Sequence, residues 1–148
     1  FNFPLIISRF SNFYGPNQST NRLIPQLVLK IIKREKFVLQ GNGNFIRSYI
    51  YKDDLVSGIE KMITKGKPGY TYHFSGDEFY TTKEVVKVAC KLLNYKFEDL
   101  VVKGKDRISQ DFSYKLDSTF TKKKLNWKSQ TNLKKGILKI YRYYKSNF

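Results

Sequence analysis

Phe45-Ile46-Arg47-Ser48-Tyr49-Ile50-Tyr51, followed without a break by Lys52-Asp53-Asp54-Leu55, is the stretch on which the fold turns. Its first seven residues are mostly aromatic or β-branched and are preceded by Gly41-Asn42-Gly43-Asn44, so a turn followed by a strand is predicted. Beyond Tyr51 the apolar period changes. Leu55, Ile59, Met62 and Ile63 fall at i, i+4, i+7 and i+8, the stripe of an amphipathic helix that Asp53 or Asp54 can cap and Lys67-Pro68-Gly69 stops. A strand feeding a helix is the repeating unit of an α/β layer structure.

The alternation continues in both directions. The apolar run of residues 4–9 predicts a strand buried on both faces, and Asn12-Phe13-Tyr14-Gly15-Pro16-Asn17 predicts a turn. Ile24, Leu27, Val28, Ile31 and Ile32 recur at helical spacing with Pro25 near the start, and Phe37-Val38-Leu39 reads as a short strand. Residues 41–44 then read as a hairpin turn. Downstream, residues 70–74 and 100–103 predict strands, and Thr81 or Thr82 with Glu84 caps a helix carrying Val85, Ala89, Leu92 and Leu93. Residues 104–117 are irregular, and helices follow over 118–125 and 132–144.

Composition narrows the function classes. The 148 residues include 28 Lys+Arg and 12 Asp+Glu, a formal charge of +16, and 41% of the chain is hydrophobic, which builds a core and excludes wholesale disorder. No apolar run nears the ~20 residues that span a bilayer, so no membrane partner is expected. One cysteine (Cys90) and one histidine (His73) exclude a disulfide framework and a Cys/His zinc site, so no metal is expected and a reducing, cytoplasmic setting fits. The sequence opens at Phe1 and its one methionine is Met62, from which we expect an N-terminal part of a larger protein to precede it.

The excess charge admits a polyanion partner: in residues 115–148 ten Lys/Arg face one acid, Asp117. No zinc-finger spacing, basic zipper, RRM signature or KH loop accompanies it, so nucleic acid is the alternative and not the leading partner.

Single motifs decide little. Gly41-x-Gly43 has Ile46 where a dinucleotide loop needs its third glycine, and a strand follows in place of a helix. Tyr141-x-x-x-Lys145 matches an acid/base pair of short-chain dehydrogenases, but Tyr141 falls on the apolar stripe of a basic terminal helix. Asp53-Asp54 reads as capping, His73 as structural or ligand-contacting, and Cys90 as packing. Arg47 at the head of an aromatic strand calls for an anion if buried, or else is a surface arginine. Arg107, between Asp106 and Asp111, is a second anion-binding candidate or a local ion pair.

Five segments nevertheless form an ordered series. They are Arg9-Phe10-Ser11-Asn12-Phe13-Tyr14-Gly15-Pro16-Asn17-Gln18 with Arg22-Leu23-Ile24-Pro25, and Gly41-Asn42-Gly43 with the Ile46 to Asp54 stretch. Tyr72-His73-Phe74-Ser75-Gly76 comes next, then Asp106-Arg107-Ile108-Ser109-Gln110-Asp111 with Tyr114 and Asp117. Leu125-Asn126-Trp127 with Gly136-Ile137 and Tyr143 closes the series. Together they resemble the C-terminal half of the extended short-chain dehydrogenases/reductases, the NAD-dependent nucleotide-sugar epimerase/dehydratase family, and within it dTDP-glucose 4,6-dehydratase-like enzymes. The chain departs from that pattern at Phe13, where such dehydratases have a substrate-contacting asparagine, at Ser48 for aspartate, His73 for asparagine, Ile108-Ser109 for Pro-Gly, and Ser113 for arginine.

The resemblance implies an α/β fold in two parts. Residues 1–16 would be the last strand and loop of a Rossmann-type parallel sheet, and residues 17–148 a small nucleotide-sugar-binding domain, with 70–76 returning to the main sheet. It implies NAD as cofactor, with Asn12 near its nicotinamide end. A nucleotide-sugar substrate would be held by Phe13, Arg22, Leu23, Arg47, His73, Asp106, Arg107 and Gln110, with Arg47 and Arg107 converging on the diphosphate. The parent enzyme would oxidise the sugar at C4, eliminate water across C5–C6 and return the hydride at C6; a 4-epimerase or reductase is the alternative. The family's glycine-rich loop and acid/base residues have no counterpart here, so the resemblance assigns no catalytic residue to this chain and predicts it inactive alone. It also implies a homodimer for the full-length protein, through helices this chain does not contain.

Overall fold

In the computed structural model, which describes residues 3–105 and 111–147, strand and helix meet at Tyr51 as the central stretch predicts. In chain order the elements are β1 (Ile7–Phe10), β2 (Asn12–Tyr14), α1 (Leu23–Ile32), β3 (Phe37–Gln40), β4 (Ile46–Tyr51), α2 (Lys52–Lys65) and β5 (Thr71–Phe74). β6 (Phe79–Thr81), α3 (Thr82–Leu92), α4 (Phe97–Leu100), β7 (Val101–Gly104), β8 (Ser113–Tyr114), α5 (Thr119–Leu125) and α6 (Leu133–Asn147) complete them.

The strands form an α/β arrangement in three small groups. β1 pairs in parallel with β5, placing Arg9 opposite His73, and β3 pairs in parallel with β7. β4 is the centre of the third group: β2 runs parallel to its second half, with Asn12 opposite Tyr49. Along its first half, β6 runs antiparallel and β8 parallel, with Tyr80 and Tyr114 both in register with Arg47.

β4 also divides the interior. Side chains alternate along a strand, so Tyr49 and Tyr51 join the larger core with Leu27, Val85, Ile137 and Ile140, while Ile50 joins a second with Leu55, Phe74, Leu125 and Trp127. Helices α1, α3 and α6 close the first core, and α2 and α5 the second. Each fully buried Leu, Ile, Val or Phe contributes ~1.5–3 kcal/mol.

Two glycines set the closeness of this packing. A Cβ on Gly58 would lie 2.6 Å from the Phe74 ring, and one on Gly136 would lie 2.0 Å from the Tyr14 hydroxyl, so α2 and α6 approach those aromatics as only glycine allows. A polar clamp ties the start of α2 to residues 127–131: the buried Asp54 accepts through Oδ2 from the Thr131 N–H at 2.8 Å and the Ser129 hydroxyl at 3.1 Å, and its carbonyl accepts from the Trp127 indole N–H at 3.0 Å.

Several local expectations need correction. Residues 12–14 form a strand and not part of a turn, because their outward backbone groups find the edge of β4. Gly41 and Gly43 do turn the chain, with φ of 55° and 69°, but not into a hairpin, since β3 and β4 pair with different strands. The first strand starts at Ile7 and is not buried on both faces: Ile7 and Phe10 are 40% and 43% exposed, because β5 covers one edge and nothing among the described residues covers the other. Neither aspartate caps α2. Tyr51 occupies the N-cap position and Asp54 sits in the first turn, turned inward onto the clamp. The Thr81–Glu84 capping box forms as predicted, and burial pushes the Cys90 thiol, packed within the larger core, up to about 11.

Candidate ligand-binding site

Arg47 is the second residue of β4, flanked in register by β6 and β8. Its half-buried guanidinium meets no acid among the described residues. It donates to the carbonyls of Ile46 at 2.7 Å and Asp111 at 2.6 Å, with a longer contact to that of Phe112 at 3.5 Å. A guanidinium carries five N–H donors; among the described residues three find acceptors, and the Nε–H and one Nη2–H do not. The partners are neutral, so the full positive charge remains.

Arg22 reaches the same place from another direction. It is the exposed N-cap residue of α1, with extended backbone, and its side chain does not cap the helix. Leu23 and Ile24 follow in the first turn, where N–H groups have no intrahelical acceptor, and Pro25 brings none; such an N-terminus favours anions.

Asn12, Arg22, Leu23, Arg47 and Tyr49 line one cavity of about 250 Å³ in which, among the described residues, no carboxylate takes part. A neighbouring cavity of about 280 Å³ shares Asn12, Arg22, Leu23 and Tyr49 and adds Phe13 and Gln18. The two form a continuous pair with cations on one side and, on the other, an aromatic wall in which Phe10 and Phe13 meet edge to face at 5.7 Å. A roomier groove of about 530 Å³ lies at the C-terminal ends of α1 and α3, but there Asp99 sits among Arg34, Lys96 and Lys145.

Burial holds the Tyr49 phenol neutral, raising its pKa to about 12 against a weaker opposing pull from Arg47. Its hydroxyl, the Ser11 hydroxyl and the Gln18 amide oxygen are buried without a hydrogen-bond partner among the described residues, and all three side chains border the second cavity. Buried polar groups are nearly always satisfied, so hydrogen-bonding capacity stands unused beside the cations.

Five of the residues picked from sequence are therefore brought together: Asn12, Phe13, Arg22, Leu23 and Arg47. His73 is not among them. Its backbone N–H donates to the Thr121 hydroxyl at 2.8 Å and its ring Nδ1 meets the Asp117 carbonyl at 3.1 Å, fixing it between β5 and the start of α5. Asp106, Arg107 and Gln110 lie outside the described residues; among the described residues the second guanidinium at the cavity is that of Arg22. Tyr49 was missed, although it lies two residues beyond Arg47 on one strand and thus on the same face. Tyr141 and Lys145 form no acid/base site: the ammonium lies over the ring face, 5.7 Å from its centroid. Among the described residues no three His, Cys, Asp or Glu side chains could hold a metal ion, and no helix is long and apolar enough to cross a membrane.

Comparison with known proteins identifies the family. The family model described as GDP-mannose 4,6 dehydratase matches residues 1–140. The dTDP-glucose 4,6-dehydratase of Escherichia coli is 32% identical over 154 residues, covering 97% of this chain and 42% of that protein. A probable dTDP-glucose 4,6-dehydratase of Sinorhizobium fredii is 33% identical over 150 residues, covering 97% and 43%. Among solved structures, the dTDP-glucose 4,6-dehydratase of Bacillus anthracis in complex with NAD superimposes with a TM-score of 0.90 at 28% identity, covering 97% of this chain and 45% of that one. The chain thus spans less than half the length of the relatives it matches.

Proposed function

We propose, for a chain that belongs to the GDP-mannose 4,6 dehydratase family of NAD-dependent extended short-chain dehydrogenases/reductases, that it is the substrate-binding portion of a nucleotide-sugar 4,6-dehydratase. The observation that carries this reading is the convergence of Arg22 and Arg47 on one cavity that no carboxylate lines among the described residues. A diphosphate needs charge-assisted donors with fixed directions, and arginine supplies them bidentately. Arg47 offers the two N–H groups that have no acceptor among the described residues, while Arg22 and the first-turn N–H groups of α1 close on the diphosphate from the other side. Phe10 and Phe13 offer an apolar wall to a ring, and Tyr49, Ser11 and Gln18 offer hydrogen bonds to hydroxyls.

NAD fits this chain as a neighbour and not as a ligand enclosed by it. The glycine-rich turn here joins two strands, β3 and β4, so among the described residues no strand-to-helix glycine turn cradles a pyrophosphate. Asn12, exposed at the start of β2, is the residue we assign to the cofactor's edge. When bound, NAD supplies hydride acceptance and return; the residues of this chain bind and orient the sugar nucleotide. In the same reading residues 1–16 end a Rossmann-type sheet, 17–148 form the substrate domain, and 70–76 return to the main sheet beside β1. Further parallel strands, supplied from outside this chain, would cover the open edge of β1, since parallel sheets are buried on both faces.

The test is isothermal titration of the intact protein with thymidine, uridine and guanosine diphosphates and their glucose or mannose esters. One nucleoside diphosphate should bind, and Arg47→Ala should abolish binding. A folded protein that binds none of them, yet binds duplex DNA with a steep salt dependence, would overturn the proposal in favour of a polyanion-binding module.

A further inference from the structure

The loop of residues 15–22 carries Arg22 to the cavity, and its own fastenings are local. The Gln18 side chain donates to the Phe13 carbonyl at 2.9 Å, and turn hydrogen bonds run from the Gln18 N–H to Gly15 and from the Arg22 N–H to Ser19. One contact is not local. The Tyr143 hydroxyl, from the far end of the chain, donates to the Asn17 side-chain oxygen across 126 positions of sequence. Asn17 itself sits at φ 65°, in the left-handed region that asparagine tolerates. Tyr143 is half-buried on α6, off the stripe of Leu133, Gly136, Ile137, Ile140 and Tyr144 that α6 buries, so its hydroxyl is free to reach the loop while the helix stays seated without it.

We infer that Tyr143 is a positioning residue for ligand binding: by holding Asn17 it fixes the loop, and through the turn of residues 15–18 that contains Asn17 and the turn of 19–22 that follows it fixes Arg22 at the cavity mouth. This rests on the reading of the cavity as a diphosphate site. The C-terminal helix is then more than a lid on the hydrophobic core. It is the brace against which one of the two cationic arms is set, and affinity depends on a hydroxyl that does not touch the ligand.

The experiment is calorimetric titration of the intact protein with thymidine and uridine diphosphates. Tyr143→Phe removes only the hydroxyl and should weaken the tighter of the two by about three- to tenfold while leaving the melting temperature of the unliganded protein within about 2 °C. Asn17→Gly, which keeps the left-handed backbone and removes the acceptor, should do the same. In an Arg22→Ala background Tyr143→Phe should have no further effect, since residues acting through one another are non-additive. Equal losses from Tyr143→Phe with and without Arg22, or affinity unchanged in Tyr143→Phe, overturn the positioning role and leave the cavity reading intact. If the unaltered protein binds neither of these diphosphates nor guanosine diphosphate, the cavity reading falls and the role of Tyr143 falls with it.

Discussion

Replacing Asp54 by alanine should be among the most destabilising single changes in this chain. The carboxylate is 5% exposed, and its Oδ2 accepts from the Thr131 N–H at 2.8 Å and the Ser129 hydroxyl at 3.1 Å. Hydrogen bonds to a charged group contribute ~1.5–3 kcal/mol each, and a buried donor stripped of its acceptor carries its full desolvation penalty. The Ser129 hydroxyl can turn to water, so its share falls at the low end; the Thr131 N–H, in a residue 8% exposed, cannot. Asp54 also lies in the first turn of α2, where a negative charge adds ~0.3–1 kcal/mol. Together these give about 3–4 kcal/mol out of the ~5–15 kcal/mol that a domain possesses. At 2–4 °C per kcal/mol for a chain of this size, the melting temperature should fall by about 6–16 °C. Asp54→Asn keeps an oxygen for Thr131 and should lose about half as much. Urea unfolding followed by the fluorescence of Trp127, whose indole donates to the Asp54 carbonyl at 3.0 Å, reads the clamp directly. A loss below about 1 kcal/mol for Asp54→Ala, or equal losses for the two variants, would refute the idea that this carboxylate ties residues 129–131 to α2.

Arg47→Lys keeps a charge but not the fork, and should weaken nucleoside diphosphate binding at least about tenfold by calorimetry; a change under about twofold would count against bidentate recognition. Gly136→Ala places a methyl 2.0 Å from the Tyr14 hydroxyl and 2.6 Å from two ring carbons, so thermal unfolding should show a loss of ~1–3 kcal/mol that Tyr14→Phe relieves only in part. The raised pKa of Tyr49, about 12, means that above the ordinary tyrosine value near 10 the unfolded chain releases a proton that the folded one keeps. Stability from this group is complete below that value and is lost as pH rises toward 12, so urea midpoints taken at pH 9 and 11 should fall less in Tyr49→Phe than in the parent. Glu84 runs the other way: the Thr81 backbone and side-chain hydrogen bonds hold its carboxyl below the usual range, so its contribution is present above that range and lost as pH falls through it. Acid titration of Glu84→Gln should show a shallower loss of stability than the parent.

What was legible in the sequence follows from which interactions are local. The helices of residues 23–32, 52–65 and 82–92 each carry a periodic apolar stripe, and that of 82–92 also a capping box, so neighbours in sequence determine them. β2 is three residues long and becomes a strand only because β4 offers an edge, and β6 and β8 likewise exist through Arg47's neighbours in space. The site divides in the same way. Arg47 was visible because a charge at the head of an aromatic strand is conspicuous and Arg22 entered through the family resemblance, whereas Tyr49, Ser11 and Gln18 gain their meaning only when burial removes their partners. The partner of His73 was invisible for the same reason: its ring Nδ1 meets a carbonyl 44 residues away, which no local pattern announces.

Because neutral carbonyl oxygens of Ile46 and Asp111 hold the Arg47 guanidinium, and no carboxylate among the described residues does, none of these partners must let go of it before an anion arrives. An arginine locked to an acid would present an approaching phosphate with a dipole; this one presents a whole charge on a chain that is already at +16. That field reaches outward only over a Debye length, ~10 Å at 0.1 M ionic strength. Encounter with a diphosphate should therefore be steered and fast in dilute buffer and slow markedly as salt is added, while the lifetime of the complex, set by short-range contacts, changes far less.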